Sequence, residues 1–290
     1  MAALIFCTFA TAFKQQIMSS IASMFDRISP KYDTLNHLLS FNMDKVWRCK
    51  TAKTVSTFCP QTILDLATGT ADLAIALAKH NPKAHIIGID ISEKMLEIGR
   101  AKIVKQSLEN QVEICFGDAT RLPFSDNSFD AVTVAFGVRN FEDLDKGLSE
   151  ISRVLKPNGK VFILEFSMPG RFPVRQVYNL YFKHVLPKIG EWVSKDCEAY
   201  AYLPQSVERF PKPDDFCQNL SSFGLENCKV KPLTFSIATL YSAEKKVVIG
   251  ERSALFSYFC ALKRKLNEKE ILICSHRHFW LGLALDGTTR

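Results

Sequence analysis

Short apolar runs alternate with amphipathic stretches through the middle of the chain. The runs at 62–67, 85–90, 112–116, 129–135 and 160–166 are of strand length and bounded by turn-forming residues. Between them, 72–80, 92–108 and 144–155 carry apolar residues at helical spacing. Ser92 stands where an N-cap is needed, and Pro157-Asn158-Gly159 stops the last of these helices. Strands alternating with helices of this length predict βαβ units around a parallel sheet. Upstream, residues 20–53 have a helical pattern through Ile21, Met24, Phe25, Ile28, Leu35, Leu38, Leu39, Val46 and Trp47. Pro30 lies inside that pattern and predicts two helices. After Ser167 the rhythm changes. An aromatic-rich helical stretch at 172–192, a helix at 214–222 and a hairpin of 225–232 with 234–241 complete the reading.

Composition places this pattern in an ordinary globular protein, with 47% hydrophobic and 23% charged residues. Nine cysteines without a C-x-x-C pair predict free thiols in a reducing cytosol. The net charge of +7 is uneven: residues 246–290 hold eight Lys/Arg against four Asp/Glu and supply +4 of it. The remaining +3 gives no nucleic-acid footprint. Residues 1–19 read as an N-terminal extension ahead of alternative starts at Met18 or Met24, because the apolar opening lacks a basic flank and is too short for a bilayer. Residues 20–245 form the predicted domain, with an insertion at 171–213. Residues 246–290 continue no upstream pattern. Cys274, His276 and His278 lack a fourth partner and are not read as a metal site.

The chemistry concentrates at the ends of the predicted strands. Asp65-Leu66-Ala67-Thr68-Gly69-Thr70-Ala71 forms the first strand-to-helix turn, where Gly69 admits a ligand close to the backbone and the next helix offers N–H groups. Thr68 belongs to the same candidate site. Asp90 ends the second strand, at the position of a ribose-binding acid. Asp118 and Ala119 follow the third, where a carboxylate can accept from an adenine amino group. Three acids around one glycine suit a nucleoside bearing a cationic sulfonium, S-adenosylmethionine, better than a pyrophosphate. A nicotinamide dinucleotide would want G-x-G-x-x-G, and Ala71 and Ala74 occupy the later small positions. Taken singly, each acid also reads as a cap or turn residue. Arg139 and Asn140 follow the fourth strand; there a guanidinium can neutralise an oxyanion and an amide can orient a substrate oxygen. The alternative is a helix-capping Asn beside a solvated Arg.

Several motifs in order resemble the quinone-biosynthesis C-methyltransferases of the UbiE/MenG family, over about 24–241. Tyr32-Asp33-Thr34-Leu35-Asn36-His37-Leu38-Leu39-Ser40, continuing to Trp47-Arg48, is similar to the family's first signature. Arg153 to Lys160, through Glu165-Phe166-Ser167, is similar to the second. Leu122-Pro123-Phe124, Gly137-Val138-Arg139-Asn140, Tyr202-Leu203-Pro204-Gln205-Ser206 and Phe210-Pro211 also fit. Departures fall at Leu35, Asp44, Ala71, Asn158 and Phe235-Ser236, and Asp44 can alter the quinone pocket.

The resemblance implies a class I, Rossmann-like methyltransferase fold: a mostly parallel seven-stranded sheet with an antiparallel last strand, N-terminal helices and a helical lid. It implies methylation of a ring carbon of a prenylated quinol, demethylmenaquinol first and the corresponding ubiquinone precursor second. Arg139 and Asn140 are then the catalytic pair, and Tyr32, Tyr178 and Tyr202 line the substrate pocket. Water, a tyrosine such as Tyr32, or a nearby acid takes the hydroxyl proton. A prenylated substrate also implies a cytoplasmic protein in transient contact with a membrane surface, for which Arg171, Arg175, Lys183 and Lys188 in the aromatic stretch are candidates. A homo-oligomer or a biosynthetic complex remains open. So do another phenol, sterol or amine as acceptor, and a non-catalytic cofactor-binding subunit.

Overall fold

Strand-length apolar runs become strands, those at the middle of the sheet buried on both faces and those at its edges partly exposed. They are β1 (Thr62–Leu66), β2 (His85–Asp90), β3 (Val112–Phe116), β4 (Phe129–Ala135), β5 (Leu155–Phe166), β6 (Leu225–Leu233) and β7 (Ala238–Lys245). The computed structural model describes residues 2–170, 172–181 and 197–246, with side-chain detail for 21–170, 172–178, 180–181 and 202–246. The sheet order is β3-β2-β1-β4-β5-β7-β6, and β7 runs antiparallel to both of its neighbours. The seven-stranded, Rossmann-like sheet expected from the sequence is therefore present. Chain order reverses on either side of β1, so the carboxyl ends of β1, β2, β3 and β4 frame the crevice where such sheets bind ligands.

Alternation along the strands sorts the core into two layers. Ile63, Ile86 and Ala131 face one side, with Val55 of α2 (Met43–Ser56) and Leu77 of α3 (Asp72–His80). Leu64, Leu66 and Val132 face the other, against Leu148 of α5 (Leu144–Val154) and Phe216 of α8 (Pro213–Ser222). A third cluster joins Met24, Ile28 and Leu35 of α1 (Ala2–Leu39) to Met95 of α4 (Glu93–Lys105). The Ser92 hydroxyl caps α4 by accepting from the Met95 N–H. Two further helices, α6 (Val174–Leu180) and α7 (Cys197–Arg209), lie in the predicted insertion. The rest of the aromatic stretch, residues 182–196 with Lys183 and Lys188, is outside the described residues, as are Arg171 and residues 247–290 with Cys274, His276 and His278.

Four local expectations are corrected. The break at Pro30 does not occur, and α1 runs through it. Proline removes the N–H that would reach the Asp26 carbonyl, but the Ser29 hydroxyl donates to that carbonyl at 3.0 Å. The break comes instead at Phe41 and Asn42, whose φ values of 52° and 59° are left-handed and end a helix. Strand β5 begins at Leu155, because its first residue pairs with Phe129 before the Pro157–Gly159 irregularity. Strand β7 starts at Ala238, since Thr234, Phe235 and Ser236 all have positive φ and form a turn. Finally, Cys217 and Cys228 are disulfide-bonded, not free. Helix α8 packs on β6 and brings their Cα atoms to 5.7 Å. Cys49, Cys59 and Cys115 are free.

The bridge closes a loop with a sequence separation of 11. On loop entropy this is worth about 2–3 kcal/mol. Replacing both residues, C217A/C228A, is expected to lower stability by that amount in denaturant titrations of oxidised protein and to change little under reductant.

Candidate active site

Gly69 has a φ of +55°, and a Cβ built there would meet nothing within 4 Å, so open space lies above this turn. Its N–H donates to Asp90 Oδ2 at 2.8 Å, while Asp90 Oδ1 accepts from the Ser92 N–H at 2.8 Å. Burial pushes the Asp90 carboxyl up, opposed by these N–H groups. Asp118 accepts from both the backbone N–H and the hydroxyl of Thr120, at 2.8 and 2.7 Å. Gly69, Asp90, Asp118, Ala119 and Asn140 line one cavity, roofed by Ile21, Phe25 and Tyr32 of α1.

Asp65 and Thr68 are placed differently. Neither lines a described cavity. Asp65 is 1% exposed; its two carboxylate oxygens accept from the hydroxyls of Thr68, at 2.7 Å, and Thr133, at 2.6 Å. The two residues hold the turn from beneath and do not face that cavity. Desolvation raises the Asp65 pKa to about 6, against the two hydroxyl bonds.

A second cavity, about 350 Å³ and mostly apolar, adjoins the first. Phe25, Tyr32 and Phe136 are walls of both. Arg139 reaches into it from the 3-10 turn Val138–Asn140. Its Nη1 donates to the Phe136 carbonyl at 2.6 Å and to Glu165 Oε1 at 2.5 Å, and its Nε donates to Ser206 Oγ at 3.3 Å. Among the described residues Nη2 has no hydrogen-bond partner. Glu165 is completely buried. The Tyr202 hydroxyl, on α7, donates to Asn140 Oδ1 at 3.0 Å. Tyr32 and Tyr178 line the same cavity. Burial raises the pKa of Tyr32, Tyr178 and Tyr202, with the Arg139 charge opposing in each, so all three are phenols at neutral pH.

The resemblance carried by these residues extends to whole-chain comparison: the family model described as the ubiE/COQ5 methyltransferase family matches residues 11–245. The chain belongs to that family. The demethylmenaquinone methyltransferase of Bacteroides fragilis is 47% identical over 225 residues, covering 78% of this chain and 92% of that one. The ubiquinone/menaquinone biosynthesis C-methyltransferase UbiE of Geotalea daltonii is 43% identical, covering 78% and 96%. Solved structures share the fold. One is a putative S-adenosylmethionine-dependent methyltransferase from Methanococcus maripaludis, with a TM-score of 0.51 at 24% identity and coverage of 78% and 92%. Another is from Aquifex aeolicus, with a TM-score of 0.50 at 20% identity and coverage of 67% and 88%.

The ubiE/COQ5 family is one of methyltransferases that use S-adenosylmethionine, and the first cavity fits that group. The open space over Gly69 leaves room for it, and the Asp90 and Asp118 carboxylates could accept from its hydroxyl and amino groups.

Several residues of the site carried no assigned role in the sequence. Glu165 and Phe166 stood only within the second signature; an acid inside an apolar strand is the signal that a buried partner must exist. Arg48 stood only within the first. It lines the apolar cavity, with its guanidinium carbon 5.4 Å from the Phe136 ring centroid. Asp44 accepts from Arg48 Nη1 at 2.5 Å and from the Ser40 hydroxyl at 2.7 Å, and pairs with His37 Nδ1 at 2.8 Å. Burial raises the Asp44 pKa, but Arg48, Ser40 and His37 together hold it below the usual carboxylate range. Asp72, near His37 and Arg48, is ion-paired with Lys102, which also contacts Asp33 at 3.0 Å and the Thr70 hydroxyl at 3.1 Å. His37, Asp44 and Asp72 cluster closely enough to hold a metal, yet Arg48 and Lys102 already answer the two carboxylates.

A raised folded-state pKa means that the native protein binds the Asp65 proton more tightly than the unfolded chain does. That contribution is complete below about pH 4 and is lost as pH rises through about 6. Relative to D65N, the wild type is expected to lose on the order of 2–3 kcal/mol between pH 4 and 7, measured as unfolding free energy across that range. A pH-independent difference between the two would refute the assignment.

Proposed function

We propose that the chain transfers a methyl group to a ring carbon of a prenylated quinol, with demethylmenaquinol as substrate. Carrying this reading is the position of Arg139 in the wall of an apolar cavity that shares Phe25, Tyr32 and Phe136 with the acid-lined one. The printed names of the relatives point to the same reaction. When bound, S-adenosylmethionine supplies an electrophilic methyl on a positively charged sulfur. Asp90 and Asp118 would hold its nucleoside, and the apolar cavity would take the quinol ring with the near part of its tail.

The chain's own residues then set the ring's reactivity. A hydroquinol carbon becomes nucleophilic when the neighbouring hydroxyl loses its proton, because the phenolate charge spreads to the ortho position. Arg139 Nη2 is the donor left over once Glu165, the Phe136 carbonyl and Ser206 have engaged the rest of the guanidinium, and it stabilises that phenolate. Asn140, fixed by Tyr202, orients the hydroxyl. Since burial keeps the tyrosines protonated and Glu165 is committed to Arg139, water takes the hydroxyl proton. Once the ring carbon has taken the methyl from sulfur, the same carbon releases its own proton to water and the ring regains aromaticity. The apolar walls exclude bulk water from the reacting face and strengthen the arginine's field.

A prenylated substrate resides in lipid, so the reaction takes place at a membrane surface. Among the described residues no helix is long and apolar enough to cross a membrane. Residues 20–245 carry the activity in this reading.

The test is incubation of purified protein with methyl-labelled S-adenosylmethionine and short-tailed reduced demethylmenaquinone, with label sought on the ring carbon. R139A is expected to lower kcat by about 10²–10³ while cofactor affinity, read by calorimetry, changes less than threefold. A chain ending at Lys245 is expected to keep full turnover. Wild-type protein that binds the cofactor and leaves the quinol unlabelled would overturn the assignment.

A further inference from the structure

We propose that the mouth of the apolar cavity is a bilayer-docking surface, with Phe41 and Phe235 as the inserting side chains. The inference rests on the quinol reading and adds to it the place where the enzyme meets lipid. Phe41 and Val177 both line the cavity, yet they are 79% and 64% exposed, so they stand at its opening. Phe235, 78% exposed, lies between Thr234 and Ile237, which line the cavity as well. Three separate segments thus present bare apolar side chains around one hole: the turn between α1 and α2, helix α6, and the turn between β6 and β7. Phe172, 80% exposed, precedes α6 and extends the rim.

Two observations argue for an occupant made of lipid. Both Phe41 and Phe235 sit on left-handed backbone, at φ 52° and 57°, where a bulky side chain is disfavoured. Two independent turns therefore hold an aromatic ring out to water at the same opening. Exposed basic residues follow or precede these positions closely in the chain: Lys45 on the first turn of α2 after Phe41, Arg175 on α6 before Val177, and Lys231 near the end of β6 before Phe235. Exposed apolar tips with cations a few residues away along the chain match an interface with acyl chains beneath and anionic headgroups above. The substrate's shape agrees. A cavity of about 350 Å³ is at the small end of ligand sites, so it takes the ring and the first part of a tail. The remaining tail leaves through the mouth, and an apolar rim lets it do so without crossing water.

The full chain would be sedimented with vesicles of phosphatidylethanolamine and phosphatidylglycerol, and separately with phosphatidylcholine alone. Binding is expected to be stronger to the anionic vesicles. F235S is expected to weaken it about tenfold and F41S/F235S about a hundredfold, whereas F235W retains it and shows fluorescence quenching by brominated lipid. Thermal unfolding checks that the variants are folded. In vesicle-free buffer F235S should turn over a short-tailed quinol at the wild-type rate, and with a long-tailed quinol in vesicles about tenfold more slowly. Wild-type binding by F41S/F235S would overturn the proposal. So would a dimer in vesicle-free solution that the same substitutions dissociate, since the rim would then be covered by a second copy. Methylation of the short-tailed quinol without vesicle binding removes the docking surface and keeps the reaction. Vesicle binding lost in F41S/F235S, without methylation of either quinol, keeps the surface and removes the reaction.

Discussion

The carboxylate of Glu165 has no access to water, and an ionised acid in that position requires a cation. Arg139 answers it through both its backbone N–H and its guanidinium, at 3.4 and 2.5 Å. The pair joins the end of β5 to the turn after β4. Phe136 sits at φ 59° in that turn, and its carbonyl accepts from Arg139 Nη1. Gly137 follows it, and a Cβ there would lie 2.4 Å from the Ala67 side chain, so the β1 and β4 turns touch only because this residue is bare. Placement of the arginine, contact between the two turns and the common wall of the two cavities all follow from this arrangement. Removing Glu165 would leave a buried positive charge; removing Arg139 would leave a buried negative one.

A second set of charges ties the N-terminal helices to the sheet. Asp33 and Asp44 come from α1 and the start of α2, Asp72 from α3, Lys102 from α4, and Thr70 from the glycine turn. Thr70 donates to Asp33 at 2.6 Å, and Lys102 bridges Asp33, Thr70 and Asp72. Two turns earlier on the same face of α1, Asp26 accepts from the Ser92 hydroxyl at 2.5 Å, next to Asp90. Helix α1 is thereby fixed over the crevice by polar contacts at two points along its length. Its apolar face, through Met24, Ile28 and Leu35, supplies the packing between them.

The strands were legible because fully buried strands leave uninterrupted apolar runs, and the acids that end them stand out against that background. Asp90 and Asp118 could be placed at a crevice on this ground alone. The contacts of Arg139 could not, since its partners come from residues 165 and 206, on elements whose approach no local pattern encodes. Asp65 is the opposite case: it shares the strand-end signature of Asp90, and only its register beside Thr133 shows that its carboxyl meets hydroxyls within the sheet. The Pro30 expectation failed through a repair by its neighbour, a serine hydroxyl replacing a missing amide. The Cys217–Cys228 pairing was invisible because it depends on how α8 lies against β6. Spacing along the chain says nothing of that.

Phe25, Tyr32 and Phe136 each present one surface to the acid-lined cavity and another to the apolar one. A ligand that turns any of these rings from one side alters the wall seen from the other. Occupancy of the two cavities is then energetically linked, and the linkage must be equal in both directions. Whatever the quinol gains in affinity from a bound nucleoside, the nucleoside gains from the quinol. Three aromatic rings make the pair of half-sites a single thermodynamic unit.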